Sequence, residues 1–76
     1  MTVTVRYFAS LREAIGRAGD ELELAGAATV GDLWQRVKPT SAVPRVLAAI
    51  NQQHADFSAP VQDGDEVAFF PPVTGG

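Results

Sequence analysis

One stretch of this sequence has the spacing of a well-formed amphipathic helix, and it limits how the rest of the chain can build a core. Apolar residues recur there at intervals of three and four and share one stripe: Val30, Leu33, Trp34 and Val37. Thr29, followed by Asp32 at the third helical position, predicts a capped start, and Pro39 predicts the end. One dominant helix must pack its stripe against another layer, and the flanking segments predict that this layer is a sheet.

The segment from Thr2 to Phe8 alternates with a period of two, which is typical of a half-buried strand. One face of this strand carries Val3, Val5 and Tyr7. The other face carries Thr4, Arg6 and Phe8. The first set is apolar apart from one hydroxyl, so we expect it to point into the core.

Three more segments predict strands, at residues 20–24, 47–52 and 66–70. The first of these is expected to pair antiparallel with the opening strand. The run Asp63-Gly64-Asp65 predicts a turn that leads into the last strand. Residues 54–60 are expected to be irregular, with at most a brief strand near Phe57, and residues 41–47 to form a loop or a short helical turn.

A second, shorter helix is predicted after the opening strand. Ser10 and Glu13 have the spacing of a capping box, and Gly16 supplies a stop signal. Together these elements predict an α+β fold, with one mixed sheet of four to five strands packed on one main helix and a short extra helix. This is the β-grasp, or ubiquitin-like, architecture. We expect residues 1–70 to form this single domain and residues 71–76 to form an extended, flexible C-terminal tail.

The composition excludes several classes of function. The 76 residues include no cysteine, which excludes a disulfide framework, a thiolate metal site and a cysteine nucleophile. A net charge of −3 argues against nucleic-acid binding, since phosphate recognition needs a basic face. No segment is apolar and long enough to span a membrane, and the first residues do not resemble a signal peptide. We therefore expect a small cytoplasmic domain with no nucleic-acid or membrane partner.

The remaining titratable residues do not suggest a metal site. His54 is the single histidine, and Asp56 two residues later does not complete a ligand set, so we expect His54 on the surface or in a loop. The acidic run at residues 63–66 is better explained as a turn that feeds a strand than as a calcium loop.

The final eight residues, Phe-Phe-Pro-Pro-Val-Thr-Gly-Gly, have a clear physical use. Pro71 and Pro72 cannot continue a sheet and stiffen the chain as it leaves the domain. The six residues from Pro71 onwards would reach roughly 20 Å when extended. Gly75 and Gly76 are slim enough to enter a narrow channel, and a carboxylate on Gly76 would be ionised and able to attack the α-phosphate of ATP.

Three segments of the chain together resemble the small subunit of molybdopterin synthase. The closest likeness is the run from Asp63 to Gly76, DGDEVAFFPPVTGG, whose Pro-Pro-Val-Thr-Gly-Gly ending is specific to that family. The segments YFASLRE at residues 7–13 and AINQ at residues 49–52 also resemble it. Bare Gly-Gly is shared by all ubiquitin-like carriers, so the residues before it carry the distinction.

The resemblance implies a sulfur carrier. An ATP-dependent, E1-like activating enzyme would adenylate Gly76, and a sulfur donor protein would convert it to a thiocarboxylate. The tail would then enter the large subunit of molybdopterin synthase and give its sulfur to cyclic pyranopterin monophosphate. The chain itself would bind no cofactor, and ATP would be used by the activating enzyme. By position, Gly75 is the slim neighbour of Gly76, and the expected partner-binding residues are Phe8, Arg12, Phe70, Pro71, Pro72, Val73 and Thr74.

Three alternatives remain at this stage. The chain could be a ubiquitin-like protein modifier conjugated through Gly76, a sulfur carrier of the thiamine pathway, or an inert binding module.

Phe69 and Phe70 also leave an ambiguity, since adjacent strand residues face opposite sides and only one of them can face a partner.

Overall fold

The computed structural model describes residues 1–39 and 45–72, which form five strands and two helices. Along the chain these are β1 (Thr2–Tyr7), α1 (Ala9–Ile15), β2 (Gly19–Glu23), α2 (Val30–Val37), β3 (Leu47–Ile50), β4 (Gln53–Ala55) and β5 (Glu66–Phe70). The predicted bounds of β1 and β2 differ from these by one residue, and those of β5 agree.

The five strands form one mixed sheet in the order β2-β1-β5-β3-β4. The central pair, β1 and β5, is parallel, and every other neighbouring pair is antiparallel. The sheet with its one main helix and short extra helix confirms the predicted β-grasp fold. The pairing of β2 with β1 is antiparallel, as expected.

The core lies between the helices and one face of the sheet. Its buried residues come from both layers and are Val3, Val5, Tyr7, Leu11, Val30, Leu33, Val37, Ala48, Val61, Val67 and Phe69. Trp34 is half-buried at the edge of this core, where its ring packs on that of Phe69 with centroids 5.0 Å apart. The stripe predicted on α2 therefore faces the sheet.

The start of α2 is capped as predicted. The Thr29 hydroxyl accepts a hydrogen bond from the Asp32 amide at 3.2 Å. The Asp32 carboxylate in turn accepts from the amides of Thr29 at 3.0 Å and Ala28 at 2.8 Å. These bonds satisfy amides that the first turn of a helix leaves without partners.

The capping box predicted for α1 is wrong. The helix begins at Ala9 with Phe8 as its cap residue, and no side chain caps it. The Phe8 amide donates to the Phe69 carbonyl at 3.2 Å, so the chain is held by the sheet until it enters the helix. Ala9, with φ of 53°, makes the sharp turn between the two. The predicted stop at Gly16 is confirmed, because this residue is left-handed with φ of 91°.

The prediction for residues 47–60 is also wrong in part. β3 ends at Ile50, and β4 occupies residues 53–55, whereas Phe57 lies outside any strand. Asn51 and Gln52 have φ of 50° and 69° and form the tight turn of a hairpin between β3 and β4. The Asn51 side chain accepts from the Glu66 amide at 3.0 Å, which fastens this turn to β5.

Two expectations fall partly outside the described residues. Of the predicted tail, Pro71 and Pro72 are described and have no regular secondary structure, whereas residues 73–76 lie outside the described part. Of the predicted loop at 41–47, residues 41–44 lie outside it, Arg45 and Val46 belong to no helix or strand, and Leu47 begins β3.

A polar cluster joins β1 to the start of β2. The Tyr7 side chain is buried, and its hydroxyl donates to Oδ2 of Asp20 at 2.8 Å. Arg17 donates to the same oxygen at 2.6 Å. Burial raises the pKa of Tyr7 well above its ordinary value. Desolvation alone would raise the pKa of Asp20, but the hydrogen bonds from Arg17 and Tyr7 outweigh it and hold that pKa below 3.8.

Replacing Asp32 by alanine should lower the free energy of unfolding, because the Thr29 and Ala28 amides lose their acceptor and the helix loses its capping box. Chemical denaturation measures this change. Gln35→Ala, at an exposed position on the same helix, serves as the control and should leave stability nearly unchanged. Equal stabilities for the two variants would contradict the role of the cap.

Asp20→Asn should make stability less sensitive to acid. A carboxyl whose pKa is lower in the folded state stabilises the fold above its unfolded pKa, and that contribution is lost as the pH falls through the folded-state pKa. The wild-type protein should therefore lose free energy of unfolding below about pH 4, and Asp20→Asn should lose less. The exposed neighbour Glu21 gives the control variant Glu21→Gln. A steeper loss in Asp20→Asn than in the wild type would overturn the assignment.

Candidate docking face at the base of the tail

The face of the sheet opposite the core is the candidate functional surface, and we call it the open face. Side chains alternate along each strand, so the residues paired across one row share a face. One row of the open face runs across four strands in register, through Arg6, Ala68, Ala49 and His54. Phe70, paired with Leu47, lies in the next row toward the tail.

The structure resolves the ambiguity between the two adjacent phenylalanines. Phe69 has no exposed surface and belongs to the core, whereas Phe70 is half-buried on the open face. Phe8 is 47% exposed, and the hydrogen bond that its amide donates to the Phe69 carbonyl places it beside the end of β5. Two aromatic side chains therefore flank the point where the chain continues into Pro71.

A hollow of about 370 Å³ lies on the open face next to these rings. Its lining residues are Arg6, Phe8, Gln52, Glu66, Ala68 and Phe70. Ala68 has a short side chain between larger neighbours, which leaves room for a side chain from another protein. A depression with aromatic walls is a common form of protein-binding site.

The charges around the hollow balance each other. Arg6 donates from Nε to Oε2 of Glu66 at 3.1 Å, across the paired strands β1 and β5. The pair brings no net charge to the hollow, whose apolar walls are formed by Phe8, Ala68 and Phe70. Since both side chains remain partly exposed, the pair itself adds little stability.

The aromatic surface continues beyond the hollow to β4. The rings of His54 and Phe70 have centroids 5.6 Å apart and planes at 82°, an edge-to-face arrangement. His54 is exposed, as expected, although it lies on a strand rather than in a loop.

The structure brings some of the predicted partner-binding residues together. Phe8 and Phe70 line the hollow, and Pro71 and Pro72 follow Phe70 directly, both half-buried. Arg12 is exposed on α1 and does not line the hollow. The other predicted residues of the tail, Val73, Thr74, Gly75 and Gly76, lie outside the described residues.

Sequence reasoning missed several residues of this surface. The alternation of β1 predicts the face of Arg6 but not its partner Glu66, and Ala68 has no signal except its position between Glu66 and Phe70. The sequence predicts Gln52 at the end of a strand, whereas it lies in the turn beside the hollow. The alternation of β5 could have identified Glu66 and Ala68, but the contribution of Gln52 depends on the hairpin.

Within residues 1–39 and 45–72, no group of three or more His, Asp or Glu side chains could hold a metal ion. No helix in the same ranges is long and apolar enough to cross a membrane.

The sequence matches the ThiS family over residues 5–76. It is 42% identical to the molybdopterin synthase sulfur carrier subunit of Escherichia coli, over 97% of this chain and 99% of that protein. Other molybdopterin synthase sulfur carrier subunits match over a similar share of the chain, among them that of Mycobacterium tuberculosis at 38% identity.

Solved structures agree with this relationship. Small archaeal modifier protein 1 of Haloferax volcanii has a TM-score of 0.71 and 28% identity, with 95% of this chain and 98% of that chain covered. One subunit in the complex of subunits 1 and 2 of the molybdopterin-converting factor from Helicobacter pylori has a TM-score of 0.68 and 26% identity, with both chains fully covered. The family resemblance of the sequence is thus confirmed, and the chain belongs to the ThiS family and, within it, to the sulfur carrier subunits of molybdopterin synthase.

Proposed function

We propose that this chain carries sulfur on the carboxyl group of Gly76 and delivers it within a molybdopterin synthase. The observation that carries the proposal is the position of Phe70. This residue ends β5 on the open face, beside the hollow, and the next residue begins the segment that leads to Gly76. The docking surface and the reactive end are therefore joined by six residues of chain.

The chemistry begins with activation of Gly76. Its carboxylate oxygen attacks the α-phosphorus of ATP in the activating enzyme, and pyrophosphate leaves. Hydrosulfide supplied by a donor protein then attacks the acyl carbon, and AMP leaves. The product is a thiocarboxylate, which is a stronger nucleophile than the carboxylate it replaces. Because the sequence contains no cysteine, the Gly76 carboxyl is the group of this chain suited to carry transferable sulfur.

The large subunit supplies the catalytic groups in this proposal. The tail inserts into its active site, where the thiocarboxylate sulfur forms a bond to a carbon of cyclic pyranopterin monophosphate. Water then cleaves the bond between that sulfur and the acyl carbon of Gly76, so that Gly76 regains its carboxylate, and two such rounds supply the two sulfurs of a dithiolene. The solved complex of subunits 1 and 2 of the molybdopterin-converting factor from Helicobacter pylori supports a partner of this kind. The chain binds no cofactor of its own, and ATP is consumed by the activating enzyme.

Docking uses the open face. The large subunit covers Phe8 and Phe70 and places an apolar side chain in the hollow over Ala68. Burial of this aromatic surface provides affinity, and the two prolines reduce the entropy lost when the tail becomes ordered. Arg12 and residues 71–74 extend the contact toward the active site.

A second candidate, a ubiquitin-like protein modifier, is favoured by the likeness to small archaeal modifier protein 1. The two functions share the activation of Gly76 and differ in what receives its acyl group. A modifier would form an amide bond with a lysine of a target protein, whereas a sulfur carrier would regain a free carboxylate after transfer.

Addition of one alanine after Gly76 should abolish sulfur loading. The extra residue moves the carboxylate by about 3.5 Å and places a methyl group beside the reacting carbon. The measurement is mass spectrometry of the C-terminal peptide after incubation with the activating enzyme, ATP and a sulfur donor. The peptide is needed because oxidation of Met1 changes the intact mass by nearly the same amount as sulfur loading.

An alanine added at the amino end is the control for this experiment and should leave loading intact. Sulfur on the extended C-terminal peptide would refute the mechanism. Wild-type Gly76 joined to lysine, with no thiocarboxylate detected, would favour the protein modifier.

Phe70→Asp should weaken binding to the large subunit by at least about tenfold, because it places a charge in the centre of an apolar contact. Isothermal titration calorimetry measures the affinity, and thermal unfolding checks the fold. Gln35→Asp introduces the same charge on the exposed side of α2 and should bind like the wild type. Equal affinity for the two variants would remove Phe70 from the interface.

A further inference from the structure

Gln52 lies in the turn between β3 and β4, in a backbone conformation that its residue type disfavours. Ile50 is paired with Gln53, so Asn51 and Gln52 form a two-residue loop in which both residues have positive φ. At the second position of such a loop glycine is strongly preferred, because any side chain crowds the backbone there. Gln52 has φ of 69°, so its backbone is strained.

The hydrogen bonds that hold this turn come from the neighbouring residue. The Asn51 amide donates to the Glu66 carbonyl at 2.8 Å, and the Asn51 side-chain oxygen accepts from the Glu66 amide at 3.0 Å. The Asn51 side-chain nitrogen donates to Asp65 at 3.1 Å. None of the side-chain hydrogen bonds within residues 1–39 and 45–72 includes the side chain of Gln52. The strain at Gln52 is therefore not offset by a hydrogen bond of its own side chain to another described residue.

Gln52 is exposed and lines the hollow of the open face. The rest of the lining consists of two aromatic rings, the short side chain of Ala68 and the ion pair of Arg6 and Glu66. Among these lining residues, Gln52 has the polar side chain that no described residue binds. Residues in strained conformations that their surroundings hold in place are concentrated at functional sites. The position of Gln52 at this hollow is a reason to keep glutamine where glycine would be more stable.

We propose that Gln52 is a specificity-determining residue for docking of the large subunit, and that its side-chain amide binds a main-chain peptide group of that subunit. The inference rests on the proposed function, because it concerns the same candidate docking surface. The glutamine amide has N–H donors and a carbonyl acceptor side by side. A peptide group, with one N–H and one carbonyl, is its complement.

The occupant of the hollow is an extended segment of the large subunit. An apolar side chain of that segment enters over Ala68, and the peptide group next to it lies beside Gln52. Since Arg6 and Glu66 neutralise each other, the hollow is better matched by a neutral group than by a charged one. An apolar centre with a polar rim is the usual arrangement of a protein interface.

Gln52→Ala tests the contact of the side chain. Alanine keeps a Cβ, and hence most of the backbone strain, but removes the amide. Affinity for the large subunit, measured by titration calorimetry, should fall about three- to tenfold, the effect of one hydrogen bond. Gln53→Ala truncates an exposed neighbour that does not line the hollow and should bind like the wild type. Equal affinities for Gln52→Ala and the wild type would overturn the proposal.

Gln52→Gly separates docking from stability. Glycine adopts this φ without strain, so the midpoint of thermal unfolding should rise by about 4 °C. The affinity should nevertheless fall as it does in Gln52→Ala, because the amide is lost. A purely structural role of Gln52 would change stability and affinity in the same direction. A lower midpoint in Gln52→Gly, or affinity equal to that of the wild type, would contradict the inference.

Two charged variants identify the partner group. Gln52→Glu keeps acceptors and loses the donors, whereas Gln52→Lys keeps donors and loses the acceptor. Each removes half of the match to a peptide group, so both should bind more weakly than the wild type. Tighter binding of Gln52→Glu would reveal a cation on the partner, and tighter binding of Gln52→Lys would reveal an anion. Either result would refute recognition of the main chain.

Failure of the proposed function is recognised separately. If the wild type does not bind the large subunit, or if Phe70→Asp binds as tightly as the wild type, the candidate docking surface is wrong and the inference about Gln52 falls with it. If Phe70→Asp weakens binding and Gln52→Ala does not, only the role of Gln52 is wrong. Circular dichroism of each variant shows whether a loss of affinity reflects a loss of fold.

Discussion

The parallel pairing of β1 with β5 is the constraint on which the candidate docking surface of the open face depends. Parallel strands end at the same edge of a sheet, so the residues that follow them are brought side by side. Tyr7 on β1 is paired with Phe69 on β5, and the next residues after this pair are Phe8 and Phe70. A shift of one residue in this register would turn Phe70 inward and Phe69 outward. The core prevents such a shift, because Phe69 is fully buried in it.

The hairpin of β3 and β4 adds the second part of the surface. It turns at Asn51 and Gln52, and the Asn51 side chain fastens the turn to the start of β5. Asparagine adopts a positive φ more readily than most residues, which suits it to this position. The result places Gln52 beside the hollow and the ring of His54 against Phe70. The hairpin thus adds Gln52 and His54 to a surface whose other residues come mainly from the central strands β1 and β5.

The apolar residues lie in two groups, one in the core, where they stabilise the fold, and one on the open face, where they form the candidate docking surface. Both helices contribute to a core on one face of the sheet, and the described residues place no helix on the other face. A domain of this size buries only about 60% of the surface that its unfolded chain exposes, so some apolar surface stays available. Here it includes Phe8, which is 47% exposed. The balanced charges of Arg6 and Glu66 keep the neighbouring hollow without net charge.

The sequence alone predicted the elements whose signals are local. The stripe of α2 and its cap depend on spacings of three and four residues, and the strands at residues 2–7 and 66–70 depend on alternation. The run at residues 63–76, together with the segments at 7–13 and 49–52, indicated the family, since each of these signals lies in consecutive residues. The short strand β4, the start of α1 and the choice between Phe69 and Phe70 were decided only by tertiary structure. Each depends on a hydrogen bond or a packing contact between segments distant in sequence, such as the Phe8 amide on the Phe69 carbonyl. Periodicity within one segment does not specify which other strand pairs with it. The candidate docking surface depends on that pairing, so only the tertiary structure determines it.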